Sequence, residues 1–384
     1  MRFHYVSPSV LPSRSANSVH VVMQCDGLEK AGADVTLYAK RTLPDESMLM
    51  PALRDAYGID LPRVRLVSYY SASGRGNNLK IAGLALSYMH RGKWPDAILS
   101  RNLYASYVIA VLERRPLIFE THQLEQGIRK VMQRTIMTRP WVTTVAVSHK
   151  MLKYLREHHG VSPRHSLVLH DAAPEGIIPL PPEERRAALA RIVSQVDGRW
   201  QAVSGYFGHL YAGRGIEVIE TMAKARPNVL FLVFGGNDAD VKARLKACSA
   251  QNLLFTGHVP HPVAKQAMRA VDVLLMPYQE SVSIGVGGHD TALWMSPIKM
   301  FEYLASGVPV ISSDLPVLRE VLADGKNCLM AVPDSPDSWL AALDRLIAAP
   351  GLAMVIGNQG HLDYVREHTW TQRAKRILDV ARAK

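Results

Sequence analysis

Short apolar runs rich in Val, Ile and Leu alternate along this chain with longer stretches of helical pattern, and that alternation constrains the fold most. In the first half the runs are RFHYVS, DVTLYAK, VRLVSYY, DAILSR, PLIFETH, TTVAVS and HSLVLHD. In the second half they are AVSGYFGHL, NVLFLVFGG, NLLFTGHV, DVLLMPY, VPVISSD and CLMAVP. Strands of this kind, separated by helices, predict parallel sheets covered on both faces. At 384 residues the chain exceeds one ordinary core. The proline-dense PEGIIPLPPEERR reads as a linker near residues 174–186. The expected fold is therefore α/β: two Rossmann-like domains, residues 1–175 and 187–367, with parallel sheets facing across a cleft. Ligands in such folds sit beyond the carboxyl ends of the strands, so function is sought in the loops there.

The formal net charge of +11 calls for phosphate-bearing partners. No run of Lys and Arg interleaved with aromatics occurs, and no zinc-finger or RNA-binding signature, so nucleic acid is set aside. Cys25, Cys248 and Cys328 lie far apart without CxxC spacing, which argues against a zinc site and a disulfide framework. The opening MRFHYVSPSV lacks the apolar core of a signal peptide, and no run approaches the length that spans a bilayer. These features predict a reducing, cytoplasmic location.

The stretch SPIKMFEYLASGVPVISSDLP, residues 296–316, carries the most chemistry. Ser296 suits a helix cap and Pro297 the first helical position, while Gly307 and Pro309 stop the helix. The N-terminus of such a helix seats an anion. Lys299 in the first turn opposes the helix dipole and so points to an external negative partner. One turn on, Glu302 can accept hydrogen bonds from two neighbouring hydroxyls. A phosphate binder followed by a diol binder describes a nucleotide; the plain alternative is a capped amphipathic helix with a surface Lys and Glu. GYFGHLYAGRG adds a second cation: Gly213 and Gly215 allow close backbone approach to a ligand, and Arg214 can grip phosphate oxygens in pairs.

In their order, GYFGHLYAGRG, VLFLVFGG, LLFTGHVP, VDVLLMPY and SPIKMFEYLASGVPVISSDLPVLREVL resemble the donor-binding domain of retaining GT-B glycosyltransferases. The likeness is to the large family 4 type, which includes sucrose synthase-like and bacterial surface-polysaccharide enzymes. It covers most of residues 200–345, is looser in the N-terminal half, and continues in HTWTQRAKRILDV. That closing segment, 368–384, is similar to the family's final helix that crosses back to the first, acceptor-side domain.

The resemblance implies a retaining transferase that moves a hexose from a UDP- or GDP-sugar to a glycan or lipid-linked acceptor, with no metal and no cofactor. It implies that Glu302 binds ribose hydroxyls, that Arg214 and Lys299 hold the diphosphate, and that His122 lies near the transferred sugar. The loop at Ala16 and Asn17 matches a glycine-rich loop under the donor. His209 stands where relatives carry a second arginine. Trp294 falls where the family places the first glutamate of its Glu-x7-Glu motif, leaving Asp290 and Thr291 as polar candidates for the donor sugar. Two other readings stay open: a GT-B epimerase or phosphorylase, and a non-catalytic nucleotide-sugar-binding partner, which the missing glutamate favours.

Asp238 and Asp240 have the spacing of a metal chelate but follow a strand and start a helix, so capping is their expected job. GVGGHD lacks the third glycine of a dinucleotide fingerprint. His149, His158, His159 and His170 are expected to be structural. In GIRKVMQRTIMTRPW, residues 127–141, Ile128, Val131, Met132 and Ile136 recur at helical spacing among Arg129, Lys130, Arg134 and Arg139. Such a stripe ordinarily packs on its own sheet; the sharper reading is a docking face for anionic lipid at the inner face of a membrane.

Overall fold

A computed structural model describes residues 1–72, 78–92, 94–248, 250–283 and 290–383. The chain divides into two compact units, one of Met1–Pro174 with Thr369–Lys384 and the other of Glu175–His368.

In the first unit, strands β1 (Arg2–Leu11), β2 (Asp34–Arg41), β3 (Arg65–Tyr70), β4 (Ala97–Ser100), β5 (Leu117–Thr121), β6 (Val142–Ala146) and β7 (His165–Val168) form one parallel sheet. Their order is β3-β2-β1-β4-β5-β6-β7. In the second unit, β8 (Ala202–Phe207), β9 (Val229–Phe234), β10 (Leu253–Gly257), β11 (Val273–Met276), β12 (Val310–Ser313) and β13 (Leu329–Ala331) follow the order β10-β9-β8-β11-β12-β13. In each sheet the order of successive strands reverses beside its first strand, between β1 and β4 and between β8 and β11. That reversal opens the crevice at which doubly wound sheets take ligands. Strands β8 and β9 are buried at every position, which is why their sequences are apolar runs and not alternating ones.

The returning C-terminal helix Trp370–Arg382 packs on the helix Ala16–Lys30 within the first unit. Gly27 makes the approach possible, because a Cβ there would lie 2.4 Å from the Trp370 carbonyl oxygen. Trp370 is fully buried, and truncating a side chain of that size costs about 3–5 kcal/mol.

The stretch expected to be a linker is built into the second unit from Glu175 onward. Its last part enters the helix Pro182–Ala190, and Arg185 donates to the carbonyls of Leu180 at 3.1 Å and Gly307 at 3.3 Å. Proline rings replace a loose tether with a packed one: Pro179 occupies the space where a Gly307 Cβ would stand.

Candidate functional site

Strand β8 runs into the loop that carries His209 and Arg214, and β11 runs into Pro277 and Tyr278. Both loops flank the switch point of the second sheet. Lys299 projects from the first turn of the helix Ile298–Ser306, which leads into β12. Its Nζ lies 4.1 Å from the centroid of the Tyr206 ring and 5.0 Å from that of Tyr278. The Arg214 guanidinium carbon lies 5.1 Å from the same Tyr278 ring, and its Nη2 donates to the Ser283 carbonyl at 3.2 Å. Two cations thus share one aromatic wall, and among the described residues neither forms an ion pair. Burial, reinforced by the Arg214 charge and only partly offset by Glu302, holds the Lys299 ammonium well below the usual lysine range. Two positive groups so placed disfavour each other's charged form, and an anion beside them would favour both.

Glu302, 6% exposed, lies one turn beyond Lys299. Its Oε1 is 2.6 Å from His261 Nε2, at the start of the helix His261–Met268. Burial alone would raise this carboxyl, but His261, with Lys265 and Lys299, outweighs burial and holds it low. The carboxylate expected to meet hydroxyls is therefore kept ionised by a histidine that sequence reasoning missed. Tyr206 and Tyr278 were missed as well; the Pro277-Tyr278 pair, just past an apolar strand, was the available signal.

The helix start differs from the expected one. Pro297, not Ser296, occupies the cap position, and its ring offers no capping side chain; the Met300 N–H donates to the Pro297 carbonyl at 2.9 Å. Gly213 and Gly215 do admit a close approach, but by the protein's own backbone. A Cβ on Gly213 would lie 1.9 Å from the Ser281 carbonyl oxygen, and one on Gly215 1.8 Å from that of Pro277. Asp290 Oδ1 accepts from the backbone of Val282 and of Ala292, both at 2.9 Å, and staples the loop; the Thr291 N–H donates to the Val282 carbonyl. The neighbouring residues 285–289 of the glycine-rich segment lie outside the described residues. His209 stacks on Tyr211 at 4.7 Å, and burial followed by the charges of Arg214 and Lys299 lowers its pKa. Asn237 and Asp240 form a reciprocal capping box on the helix Asp238–Ala247.

His122 and Asn17 belong to the first unit. Ala16 and Asn17 begin the helix Ala16–Lys30 and do not form a loop; Asn17 donates to Ser9 Oγ at 2.7 Å. His122 follows β5 and places Nε2 2.7 Å from Glu120 Oε1. Burial, with the nearby Arg101, lowers its pKa to about 4, so the ring is neutral at pH 7. The same Glu120 oxygen receives Arg373 Nη2 at 2.8 Å and faces His20 Nε2 at 3.0 Å; His20 Nδ1 meets Asp171 at 2.8 Å. None of these four partners was foreseen. His20, Glu120 and His122 bring their ligating atoms within 4.8 Å of one another, close enough for a metal ion. The Arg373 guanidinium on the shared oxygen opposes a second cation there. His158 bonds the Glu125 carbonyl and His159 bonds Gln133, both packing roles.

Two doubly wound sheets, with a cation pair at the switch point of the second, define a protein of the doubly wound α/β class. Residues 18–172 match the family described as Glycosyltransferase Family 4, and residues 203–349 match Glycosyl transferases group 1. The chain therefore carries the two domains of a GT-B glycosyltransferase. Over 173 residues it is 29% identical to a phosphatidyl-myo-inositol mannosyltransferase of Mycobacterium tuberculosis, a match spanning 43% of this chain and 41% of that protein. The match thus spans less than half the length of these curated relatives. Among solved structures, a sucrose-phosphate synthase from Thermosynechococcus elongatus superimposes with a TM-score of 0.76 at 15% identity, covering 100% of this chain and 99% of its own. The Anabaena protein HepE, solved with UDP-glucose, gives 0.73 at 13% identity and full coverage of both chains. These two likenesses show the fold.

Proposed function

We propose that the chain is a retaining glycosyltransferase that moves a hexose from a UDP- or GDP-sugar to a glycan or lipid-linked acceptor, without a metal ion. The second unit, Glu175–His368, holds the donor and the first supplies the acceptor side. One observation carries this reading: Lys299 and Arg214 converge on Tyr278, neither forms an ion pair among the described residues, and Glu302 offsets their charge only in part. In the reaction, the bond from the anomeric carbon to the diphosphate oxygen breaks and a bond to the acceptor oxygen forms on the same face. The acceptor proton passes to the departing diphosphate. Negative charge grows on that diphosphate as the bond lengthens, and the two cations with the helix N-terminus meet it in the role a divalent ion would fill. Glu302 takes the ribose hydroxyls, and neutral His122 steadies the sugar. The UDP-glucose in HepE and the mannosyl transfer named for the mycobacterial relatives support a nucleotide-sugar donor.

A thermal-shift panel of UDP, GDP, ADP, TDP and their sugars tests the donor site, because a ligand that binds the folded state raises the melting temperature. Silence from every nucleotide would defeat the reading. The His261–Glu302 contact favours one rival, a non-catalytic nucleotide-sugar binder. Slow donor hydrolysis that disappears in Glu302→Ala, with the fold retained, decides against it.

The basic helix Gly127–Met137 supports peripheral attachment at the inner face of an anionic membrane. Ile136 is buried, as an ordinary packing stripe requires, but Ile128 is 75% and Val131 57% exposed, beside Arg129, Lys130 and Arg134. No single helix among the described residues is long and apolar enough to cross a membrane. Cosedimentation with anionic vesicles at low salt, lost on Ile128→Ser/Val131→Ser, tests the attachment.

A further inference from the structure

Strand register places an unusual set of polar residues at the opposite end of the first sheet. Arg2 on β1 pairs with Asp34 on β2, His4 pairs with Thr36, and Thr36 pairs with Arg65 on β3. Side chains two apart on a strand point to one face, and paired neighbours in a parallel sheet share it. All five residues therefore emerge on the same side. The helix Asn78–Arg91 covers them, with Leu84, Ser87, Tyr88 and Arg91 at the spacing that aligns along one helical face. Between sheet and helix lies a cavity of about 550 Å³ lined by these residues.

The chemistry of the lining is specific. His4 is only 7% exposed, and its Nδ1 lies 2.9 Å from the Tyr38 hydroxyl. Burial, followed by the field of Arg2, drops its pKa to about 4. A neutral ring that accepts from Tyr38 at Nδ1 carries its proton on Nε2, as a donor. The rings of His4, Tyr38 and Tyr88 cluster with centroids 5.4 to 6.2 Å apart and, with Leu84, give an apolar wall. Arg65 donates to the Tyr88 hydroxyl at 3.0 Å, and Arg2 Nη2 to the Trp94 carbonyl at 2.9 Å. Each guanidinium has further N–H groups to spare, and Arg91 makes no ion pair among the described residues. Three guanidinium groups face two carboxylates, Asp34 and the Asp96 that pairs with Arg2 Nη2 at 3.3 Å, and a helix C-terminus worth about half a negative charge. The balance stays positive.

We propose that this cavity binds a phosphomonoester that carries hydroxyl groups, such as a sugar phosphate. The phosphate pairs with Arg65, Arg91 and Arg2, which match its geometry through paired N–H donors. Asp34 accepts from a ligand hydroxyl, and the face of Tyr88 packs on the ligand's apolar side. A volume of about 550 Å³ exceeds what inorganic phosphate fills and falls in the range of small-ligand sites. The site opens at the N-terminal ends of the strands, on the order of 15 Å along them from His122 at the end of β5. Its occupant is therefore distinct from the donor nucleotide, and the proposal stands independently of the transfer reaction.

Calorimetric titration of the full chain with glucose 6-phosphate tests it. Arg214→Ala is used as the background, so that the cation pair of the second unit cannot compete. One binding event is expected, weaker with inorganic phosphate and absent with glucose. Arg65→Gln/Arg91→Gln, both at exposed positions, should weaken it about tenfold or more while leaving the melting temperature in place. Unchanged binding in that double variant, or none at millimolar glucose 6-phosphate in the folded parent, would overturn the assignment. So would binding confined to vesicles containing phosphatidic acid, which would make the ligand a lipid headgroup and not a free metabolite.

Discussion

Replacing Lys299 by Met should raise the stability of the ligand-free chain and remove its response to nucleotide. Lys299 Nζ and Arg214 Cζ lie 5.0 and 5.1 Å from one ring centroid, so the two charges are at most about 10 Å apart. At an effective dielectric near 20 their repulsion is about 1.6 kcal/mol or more. Desolvation of the ammonium adds to this penalty, the nearby Glu302 carboxylate offsets it only in part, and contacts with Tyr206 and Tyr278 return about 0.5–2 kcal/mol. Methionine keeps the aliphatic stem and removes the charge. The net gain is about 1–2 kcal/mol, which in a unit of this size lifts the melt by about 2–8 °C. The lost charge-assisted bond to a diphosphate costs about 1.5–3 kcal/mol, or about 10–150-fold in affinity.

The two melting curves should therefore cross: Lys299→Met higher without UDP or GDP, the parent higher with it. The pH dependence has a fixed sign. Because the folded-state pKa of Lys299 is depressed, the unfolded chain binds more protons, and ligand-free stability falls as pH drops toward the folded value. A bound diphosphate raises that pKa, so nucleotide affinity declines as pH rises through the window between free and bound values. Calorimetry in buffers of different ionisation enthalpy should register proton uptake. A Lys299→Met chain that melts lower than the parent, yet binds nucleotide equally well, would refute this account.

Gly215→Ala, with φ 74° and a Cβ 1.8 Å from the Pro277 carbonyl, should lose about 2 kcal/mol or more in urea unfolding. Gly325→Ala, with φ 70° and open space around it, should lose only about 1 kcal/mol. Arg373→Met leaves Glu120 buried beside two histidines without its guanidinium, and should cost about 3–5 kcal/mol by denaturant melt, partly restored by adding Glu120→Gln. His4 and His122 both have folded-state pKa values of about 4 against an ordinary 6.5. Their contribution to stability is complete above pH 6.5 and lost as pH falls toward 4, which a pH series of melts on His4→Gln and His122→Gln should show as a flattened acid limb.

The central strands were legible in the amino-acid order because a strand buried on both faces must be apolar at nearly every position, as β9, VLFLVF, shows, whereas the half-exposed edges β3 and β7 were legible from their place in the alternation with helices. The cap was less legible. Ser296 and Pro297 both suit a helix start by type, and the chain enters the helix one residue later than composition suggests. Gly213 and Gly215 announce close contact but not what makes it, since a glycine reports space and not its occupant. Asp290 carries a charge that fits a ligand by type, yet its Oδ1 is spent on two backbone N–H groups of its own loop.

What the sequence determined by itself is the set of elements and the inventory of groups: two parallel sheets, Arg214 and Lys299 near strand ends, Glu302 one turn further, and His122 closing β5. Those follow from local rules, the burial of strands and the geometry of a helical turn. Tertiary structure alone decided who faces whom. Tyr278 lies against two cations, His261 holds Glu302 ionised, Arg373 returns from the far end of the chain to Glu120, and strand register gathers Arg2, His4 and Arg65 around one cavity. Each pairing joins residues distant along the chain, and its energy depends on separation and burial in space, quantities that composition and periodicity do not encode.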